Sequence, residues 1–279
     1  MLLGGLPAPT RPTTLAPDMG ILAGKRILIT GVLTDASLAF AVAQKAIEEG
    51  AEIVLTGAGR GLSLTQRTSR KLGKTGTTVD VHELDVTVPE HFEALTAALD
   101  AKWGGVDGAL HAIGYAPPDC LGEGVLKAGW DDVATALQIS AYSLKPLAKA
   151  LLPLFVKAGG GSIVGLDFDN SRQAWPAYDW MGVAKSALES LSRYLARDLG
   201  PFNVRCNLVA AGPIKTMAAK SIPGFKRFED VWAEKAPLGW DINDPDAVAR
   251  ACVALFSDWF PRTTGEIVHV DGGFHAIGA

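Results

Sequence analysis

The stretch from Arg26 to Ala39 reads RILITGVLTDASLA, and it decides how the rest of the chain is interpreted. Its first part is a short β-branched run, typical of a buried strand, and its last part begins a helical pattern. Between them Gly31 permits a close approach of the backbone, while Ser37 can cap the helix and donate a hydroxyl. Such a turn presents N–H groups and the positive end of a helix to a phosphate. The G-x-G-x-x-G fingerprint is absent, so a phosphate cradle and a plain strand-to-helix turn both fit.

The same alternation of strand and helix continues along the chain, which predicts a parallel sheet with crossover helices. The predicted strands are Arg26–Thr30, Glu52–Thr56, Thr78–Glu83, Val106–Ala112, Ser162–Asp167, Arg205–Ala210 and Glu266–Asp271. The predicted helices are Leu38–Glu49, Leu62–Leu72, His91–Lys102, Asp131–Val156, Tyr178–Asp198 and Asp246–Ser257. Pro146 should kink or divide the fourth helix. We therefore expect an α/β fold: a Rossmann-type, doubly wound, seven-stranded parallel sheet with helices on both faces.

The chain shows no internal repeat and no linker, so residues 21–279 are predicted to form one dinucleotide-binding catalytic domain. The stretch Pro213–Leu238 is expected to be irregular, and residues 215–235 within it are interpreted as a substrate lid. The first 20 residues contain four prolines and almost no charge. We interpret residues 1–20 as a flexible N-terminal extension that lacks the features of a signal peptide.

Composition excludes several classes of protein. Hydrophobic residues make up 48% and charged residues 20%, which supplies a sizeable core, and the net charge of -4 gives no attraction to nucleic acid or anionic membranes. The three widely spaced cysteines fit a reducing compartment and argue against a disulfide framework or a zinc site. No apolar run approaches the roughly 20 residues that cross a bilayer. We expect a cytoplasmic protein without a metal, nucleic-acid or membrane partner.

Ligands of open parallel sheets bind beyond the carboxyl ends of the strands, so the residues that follow each strand are candidates. After the second strand Arg60 could stack on adenine, meet a 2′-phosphate or lie in solvent. After the third, Asp85 could bond the adenine amino group with Val86 against the ring, or cap the next helix. After the fourth, Gly114 permits a ribose to lie against the backbone, and His111 is interpreted as a structural histidine rather than a catalytic base.

Tyr178 and Lys185 are the strongest candidates for catalysis. They are seven residues apart on a predicted helix, so about 700° of rotation places both side chains near one face, two turns apart. A tyrosine can donate a proton or a hydrogen bond, and a lysine can bind ribose hydroxyls and lower the phenol's pKa by its charge. Their position after the fifth strand of the predicted sheet strengthens an interpretation that the spacing alone would leave weak.

These motifs resemble the enoyl-acyl-carrier-protein reductases, a divergent branch of the short-chain dehydrogenase superfamily. Ordinary members of that superfamily have three residues between Tyr and Lys, which would require a Tyr where Met181 stands, whereas the enoyl reductases have six. Phe168, ten positions before Tyr178, and the Gly31–Ser37 turn also agree. The mycobacterial, isoniazid-target type has Phe rather than Tyr at the first of these places. Residues 21–273 resemble that type, notably in the segments GSIVGLDFD, AKSALES, NLVAAGPI and VDGG.

The resemblance implies reduction of the trans-2 double bond of an enoyl-acyl-carrier-protein (or enoyl-CoA) thioester by NADH, in a homotetramer. Tyr178 is the implied hydrogen-bond partner of the substrate oxygen, and Phe168 is implied to border the path of the hydride. Lys185 is implied to anchor the ribose next to the nicotinamide. The implied NADH contacts are Gly31, Ser37, Leu38, Asp85, Val86, Ile113, Gly114, Lys185 and Ile214. With Tyr178, the candidates for the acyl pocket are Trp175, Met181 and Met217.

Two positions depart from the mycobacterial pattern. Ala58 stands where that type has an aromatic residue near adenine, which puts tight adenine binding in doubt. The stretch Thr216–Lys235 is about ten residues shorter than the mycobacterial lid, which puts specificity for very long chains in doubt. Its basic residues could meet an acidic carrier protein, or the stretch could be an ordinary amphipathic surface helix.

Two other functions are compatible with a Rossmann-type chain. A carbonyl reductase would need a tyrosine four residues before Lys185, and Met181 stands there. A nucleotide-sensing protein without activity would have no reason to keep Tyr178, Lys185 and Phe168 together. Oxidation of NADH with an enoyl thioester, beside a ketone and a control without substrate, separates the three.

Overall fold

The structure is a computed structural model that describes residues 20–72, 78–122, 124–168, 173–217, 219 and 222–278. Residues 1–19 of the expected extension lie outside these ranges. The strands are β1 (Arg26–Ile29), β2 (Glu52–Gly57), β3 (Asp80–Glu83), β4 (Gly108–His111), β5 (Gly161–Asp167), β6 (Val204–Ala211) and β7 (Ile267–Val270). The α-helices are α1 (Leu38–Glu48), α2 (Gly59–Ser69), α3 (Pro89–Trp103), α4 (Trp130–Leu137), α5 (Leu144–Ala158), α6 (Asp179–Leu199), α7 (Lys226–Lys235) and α8 (Asp246–Phe256).

The predicted Rossmann-type sheet is confirmed: seven parallel strands lie in the order β3-β2-β1-β4-β5-β6-β7. Alternate residues of a strand point to opposite faces, so Leu28 packs on the layer of α3, α5 and α6, whereas Ile27 and Ile29 pack on the layer of α1 and α8. Both faces are therefore covered, which explains why most strands are almost wholly apolar, whereas the edge strand β3, with the sequence DVHE, is partly exposed.

The strand order reverses between β1 and β4, and open α/β sheets bind ligands in the crevice beyond the carboxyl ends of the strands at such a point. Thr30, which is fully buried, donates its hydroxyl to the Leu110 carbonyl at 2.9 Å and accepts the Ala112 N–H at 3.0 Å. Gly31 follows with φ of 83°. A Cβ atom at Gly31 would lie 2.1 Å from the carbonyl oxygen of Ala112, so only glycine fits here. The crevice thus begins where the sequence placed its candidate cradle.

The long predicted helix Asp131–Val156 is divided, as Pro146 led us to expect. A π-helical turn, Gln138–Tyr142, separates α4 from α5, and Pro146 lies in the first turn of α5. Proline has no N–H to donate to the carbonyl of Tyr142 and its ring crowds that carbonyl, so the widened turn comes just before it.

The expectation that Pro213–Leu238 is irregular is wrong for Lys226–Lys235, which forms α7. Phe228 and Trp232, one turn apart on this helix, are both buried. Their spacing is that of an amphipathic helix, but the charged residues between them obscure it.

One described segment passes a test of length and hydropathy for a membrane span: Trp130–Ala158, with mean hydropathy 1.2. Half of that window is buried inside the fold, as in a core helix, and the signal is weak evidence for a membrane.

Candidate active site

The turn after β1 is shaped by Ser37. Its Oγ accepts the N–H groups of Leu33 at 3.1 Å and Thr34 at 3.0 Å. Although Ser37 occupies the N-cap position of α1, its side chain makes no capping bond, so the expected capping role is wrong. Since both bonds use the oxygen as acceptor, the hydroxyl proton is available to an anion.

The ends of β3 and β4 present the other predicted cofactor residues. Asp85 Oδ1 accepts the hydroxyl of Thr87 at 2.6 Å and its N–H at 2.9 Å, and these bonds lower the pKa of Asp85. Val86 is only half-buried against the core and Gly114 is exposed, so part of each residue is accessible to a ligand. Asp85 does not sit at the N-cap of α3, where Val88 stands, which leaves its proposed adenine bond as a prediction.

Behind the β4 loop, the π-helical turn presents Ser140. Its buried Oγ accepts the N–H of Tyr115 at 2.8 Å and donates to the carbonyl of the same residue at 2.7 Å. Both bonds hold the loop that contains Ile113 and Gly114. The π-helical turn therefore fixes the predicted ribose side of the site, a contact that the sequence did not reveal.

His111 is fully buried and has a structural partner, as interpreted from the sequence. Its Nε2 lies 2.7 Å from Ser143 Oγ, which itself donates to the Ile139 carbonyl, so His111 must be the donor to Ser143. Burial first, and then the charge of Lys185, lower the pKa of His111 to about 3. A neutral imidazole of this kind is a poor general base near neutral pH.

Tyr178 occupies the N-cap position of α6 and is 8% exposed. Two residues with left-handed backbone flank it: Ala177 with φ of 65° and Asp179 with φ of 37°. The carboxylate of Asp179 accepts the N–H groups of Gly122 at 2.7 Å and Gly124 at 3.2 Å, which ties the turn to a neighbouring loop. Backbone strain of this kind is characteristic of functional sites, since the surrounding structure must hold it in place.

Lys185 lies two turns along α6 from Tyr178 and donates from Nζ to the carbonyl of Leu166 at 2.8 Å. Burial lowers the pKa of Lys185, and the charge of Asp167 opposes it. For Tyr178 the expectation of a lowered pKa is wrong, because burial, and then the charge of Asp167, raise it. Tyr178 is accordingly a neutral phenol that can donate a hydrogen bond.

Seven aromatic side chains form what we call the aromatic lid cluster: Phe168, Trp175, Tyr178, Phe225, Phe228, Trp232 and Phe274. The ring centroids of Phe168 and Tyr178 lie 5.2 Å apart. The residue predicted to border the hydride path is therefore next to the predicted partner of the substrate oxygen. Phe228 and Trp232 of α7 reach this pair, and Trp232 stacks on Phe274 at 3.9 Å. The lid is therefore folded down onto Tyr178.

The lid leaves a pocket of about 230 Å³ beside Tyr178, lined by Trp175, Pro176, Ala177, Pro223, Gly224, Arg227 and Phe228. That volume is below the 300–1,000 Å³ of typical ligand sites, so a long acyl chain requires the lid to move. The indole N–H groups of Trp175 and Trp232 are buried and have no hydrogen-bond partner within the described ranges. Unsatisfied donors lower the stability of the closed arrangement and make opening less costly.

The other predicted site residues lie around this centre. Ile214 is buried after β6, Leu38 is half-buried at the start of α1, and Met181 is half-buried on α6. Met217 is 51% exposed and does not line the pocket. Residues 218, 220 and 221 of the expected lid, and the last residue of the segment GSIVGLDFD, lie outside the described residues. The apolar lid residues Phe228 and Trp232 were expected to face inward, and they do; Phe274 was missed, since only the folded chain brings the C-terminal segment against α7.

The cofactor side fits a dinucleotide on structural grounds. Gly31 lets the turn lie directly against the Ala112 carbonyl, and Ser37 and Lys185 supply a hydroxyl and an ammonium for phosphate and ribose oxygens. Among the described residues, no group of three or more His, Cys, Asp or Glu could hold a metal ion.

Comparisons with known proteins agree with this geometry. A family model described as enoyl-(acyl carrier protein) reductase matches residues 31–275. The chain is 46% identical over 268 residues to an enoyl-(acyl-carrier-protein) reductase (NADH) of Mycolicibacterium smegmatis, covering 91% of this chain and 97% of the relative. Identity to the enzyme of the same name from Mycobacterium avium is 45% over 267 residues, with the same coverage. A relative from Aquifex aeolicus is 39% identical over 260 residues, covering 93% of this chain and 94% of the relative.

Proposed function

This chain belongs to the enoyl-(acyl-carrier-protein) reductase family, and we propose that the site around Tyr178 reduces the trans-2 double bond of an enoyl thioester with NADH. This is the last reductive step of fatty acid elongation. The observation that carries the proposal is that the rings of Phe168 and Tyr178 lie 5.2 Å apart, with Lys185 two turns from Tyr178 on the same helix. This arrangement supplies an apolar wall, a hydrogen-bond donor for the substrate and a cation for the cofactor.

Tyr178 is proposed to hold the thioester oxygen of the substrate. Reduction at the β-carbon moves negative charge onto that oxygen, and a donor fixed in a water-poor site stabilises it. Tyr178 suits this role because its raised pKa keeps the phenol proton in place, while the flanking turn and the Phe168 ring restrict its movement. Phe168 is proposed to wall the reacting carbons from water.

Lys185 is proposed to hold the ribose next to the nicotinamide, which orients the ring. When bound, NADH supplies the hydride. In this role Lys185 would exchange its bond to the Leu166 carbonyl for ribose hydroxyls, with Asp167 keeping it protonated. Gly31, Ser37, Leu38, Asp85, Val86, Ile113, Gly114 and Ile214 are proposed to line the remainder of the dinucleotide site.

The acyl group is proposed to enter beneath the lid, beside Trp175 and Met181, with Met217 at the rim. We propose that the thioester is delivered by an acyl carrier protein in the cytoplasm. The first turn of α7 supports this, because Lys226 and Arg227 stand where the helix dipole would favour acidic residues. Such a placement is unfavourable for the helix by itself and suits an acidic partner.

A homotetramer is also proposed. The segment after α8 exposes Trp259 by 66% and Phe260 by 39%, and the edge strand β7 is half-buried along its length. These surfaces suit symmetric packing. Light scattering at micromolar concentration should give four times the chain mass, and a monomer would contradict this.

The reaction is tested by following NADH absorbance with a trans-2-enoyl-CoA, an enoyl carrier-protein thioester, a β-ketoacyl thioester and no substrate. We expect oxidation with the two enoyl thioesters only, and faster with NADH than with NADPH. Flat absorbance with enoyl thioesters together with a fall on the β-ketoacyl thioester would refute the proposed reaction.

A further inference from the structure

The buried face of α2 has an unusual composition. Its buried residues are Thr65, Thr68 and Ser69, while Leu64 on the same helix is 41% exposed. A helix that merely covered the sheet would bury its apolar residues and expose its polar ones. The hydroxyl groups must therefore have partners beneath the helix.

Those partners belong to the turn after β1. Thr65, which is fully buried, donates from Oγ1 to the Val32 carbonyl at 2.6 Å and shares the bond with the carbonyl of Gly61 at 3.0 Å. Thr68, 6% exposed, donates from Oγ1 to the Leu33 carbonyl at 2.9 Å. The two threonines, three residues apart, thus hold consecutive carbonyls of the candidate phosphate turn.

Further contacts fix α2 against the same turn. A Cβ atom at Gly57 would lie 2.8 Å from Thr65 Oγ1, and one at Gly61 would lie 3.0 Å from Leu33 Cδ2, so both glycines permit the close approach. At the end of α2, Lys71 forms an ion pair with Asp35.

The backbone of the Gly31–Ser37 turn needs these hydrogen bonds. It lacks the second and third glycines of the G-x-G-x-x-G fingerprint, so its conformation is not set by that pattern. Ser37 fixes its N–H groups from one side. With the carbonyls held from the other side, Leu33 has both its N–H and its carbonyl restrained. The Val32 carbonyl before it is held by Thr65, and the Thr34 N–H after it is held by Ser37.

We propose that Thr65 and Thr68 are positioning residues for NADH: they touch no cofactor, and they hold the Gly31–Ser37 turn in the conformation that receives the pyrophosphate. The inference rests on the proposed NADH-dependent function. Without these bonds the turn would sample other conformations, and binding would then have to order it.

The test compares Thr65→Val and Thr68→Val, singly and together, with Thr65→Ser and Thr68→Ser. Valine keeps the shape and removes the hydroxyl, whereas serine restores it. The matched control is Thr96→Val, which removes a hydroxyl bonded to the Phe92 carbonyl within α3. The dissociation constant for NADH is measured by fluorescence of the bound cofactor, without an enoyl substrate. Hydrogen–deuterium exchange of residues 32–37 is measured in the NADH-free protein.

Each valine variant should bind NADH about five- to tenfold more weakly, as for loss of one buried hydrogen bond. Exchange should quicken in residues 32–37, while turnover at saturating NADH stays within about twofold of wild type. The serine variants and Thr96→Val should bind NADH as wild type does.

Unchanged NADH affinity in the double valine variant would overturn the proposal, and so would serine variants as weak as the valine ones. Faster exchange spread evenly through β1 and α3 would also overturn it, since that indicates general destabilisation. Should Thr65→Val fail to fold, Thr68→Val is judged by the same criteria. A wild-type protein that binds NADH and leaves enoyl thioesters unreduced would refute the proposed reaction, while the affinity comparison would still test the threonines.

Discussion

The two halves of the site are held together by different forces. On the cofactor side, the turns after β1 and β4 are fixed by hydrogen bonds between the backbone and the hydroxyl groups of Thr30, Ser37, Thr65 and Ser140. On the lid side, the aromatic cluster packs ring against ring at centroid distances of 3.9–6.4 Å. Hydrogen bonds are directional and fail when a partner is lost, whereas ring packing tolerates small shifts and substitutions. The cofactor side should therefore be rigid and sensitive to single atoms, and the lid adaptable.

Tyr178 belongs to both halves, and changing it should give the largest effect. Tyr178→Phe keeps the ring in the aromatic cluster and removes only the hydroxyl. We expect turnover to fall by about 10²–10³, the usual result of losing one donor to a developing oxyanion. Affinity for NADH, measured by fluorescence, should stay the same. Turnover equal to wild type would show that the phenol does not touch the substrate oxygen.

Lys185→Ala tests the cofactor side alone. Losing a charged hydrogen-bond donor costs about 1.5–3 kcal/mol, so NADH should bind roughly 10- to 100-fold more weakly. Lys149→Ala, an exposed lysine on α5, is the matched control. Equal NADH affinity in wild type and Lys185→Ala would refute the ribose-binding role.

His111 should make the cofactor side sensitive to acid. Its folded pKa of about 3 lies below the unfolded value of about 6.5, so between these values the unfolded chain binds a proton that the native protein does not. The free energy of unfolding should therefore fall as pH drops below about 6.5, by about 2 kcal/mol from this group at pH 5. The lost stability should return when pH is raised.

Urea unfolding of wild type and His111→Gln at pH 7.5 and 5.0 measures this contribution. The variant should lose about 2 kcal/mol less than wild type between the two pH values. His82→Gln, on the edge strand β3, serves as the control and should follow the wild type. Parallel losses in wild type and His111→Gln would contradict the prediction.

The difference between the hydrogen-bonded cofactor side and the packed lid side also explains how much of each could be predicted from the sequence. The strands were predicted to within about two residues, with the starts of β3 and β4 as the largest errors, because buried parallel strands are apolar throughout. Tyr178 and Lys185 were found because their spacing on one helix is local. Thr65 and Thr68 were missed because their partners are 33 and 35 residues away in the chain, and nothing in the pattern of α2 names them. Trp232 and Phe274 meet only after folding, so no local periodicity could predict their stacking.

Replacing an aromatic ring on the lid side should have a smaller effect than removing a hydroxyl on the cofactor side. Phe228→Leu replaces one buried apolar side chain of α7 by another, which usually costs less than about 1.5 kcal/mol. We expect kcat/KM for a short enoyl-CoA to change by less than about fivefold, with NADH affinity unchanged. Loss of NADH binding in Phe228→Leu would show that the two halves are one rigid unit.

The smallest effect should come from the outer surface of the lid. Lys226 and Arg227 are exposed in the first turn of α7, next to the pocket beside Tyr178. Glu229, Asp230 and Glu234 follow on the same helix and separate this basic pair from Lys235 at the other end, so two adjacent positive charges stand at the end nearest the pocket. An acidic carrier protein that approached this end would be attracted over a distance of about one Debye length, roughly 10 Å at 0.1 M salt.

Replacing both Lys226 and Arg227 by Glu should raise KM for the carrier-protein substrate several-fold, because the lost attraction contributes about 1 kcal/mol to binding. The increase should be larger at low salt, and KM for the matching enoyl-CoA should change less. Arg67 in the last turn of α2 and Arg70 directly after the helix lie near the β3 edge of the sheet and offer a control with the same change of charge. If the control raises KM as much as the lid variant does, the attraction is a property of the whole molecule, and α7 is not the docking surface.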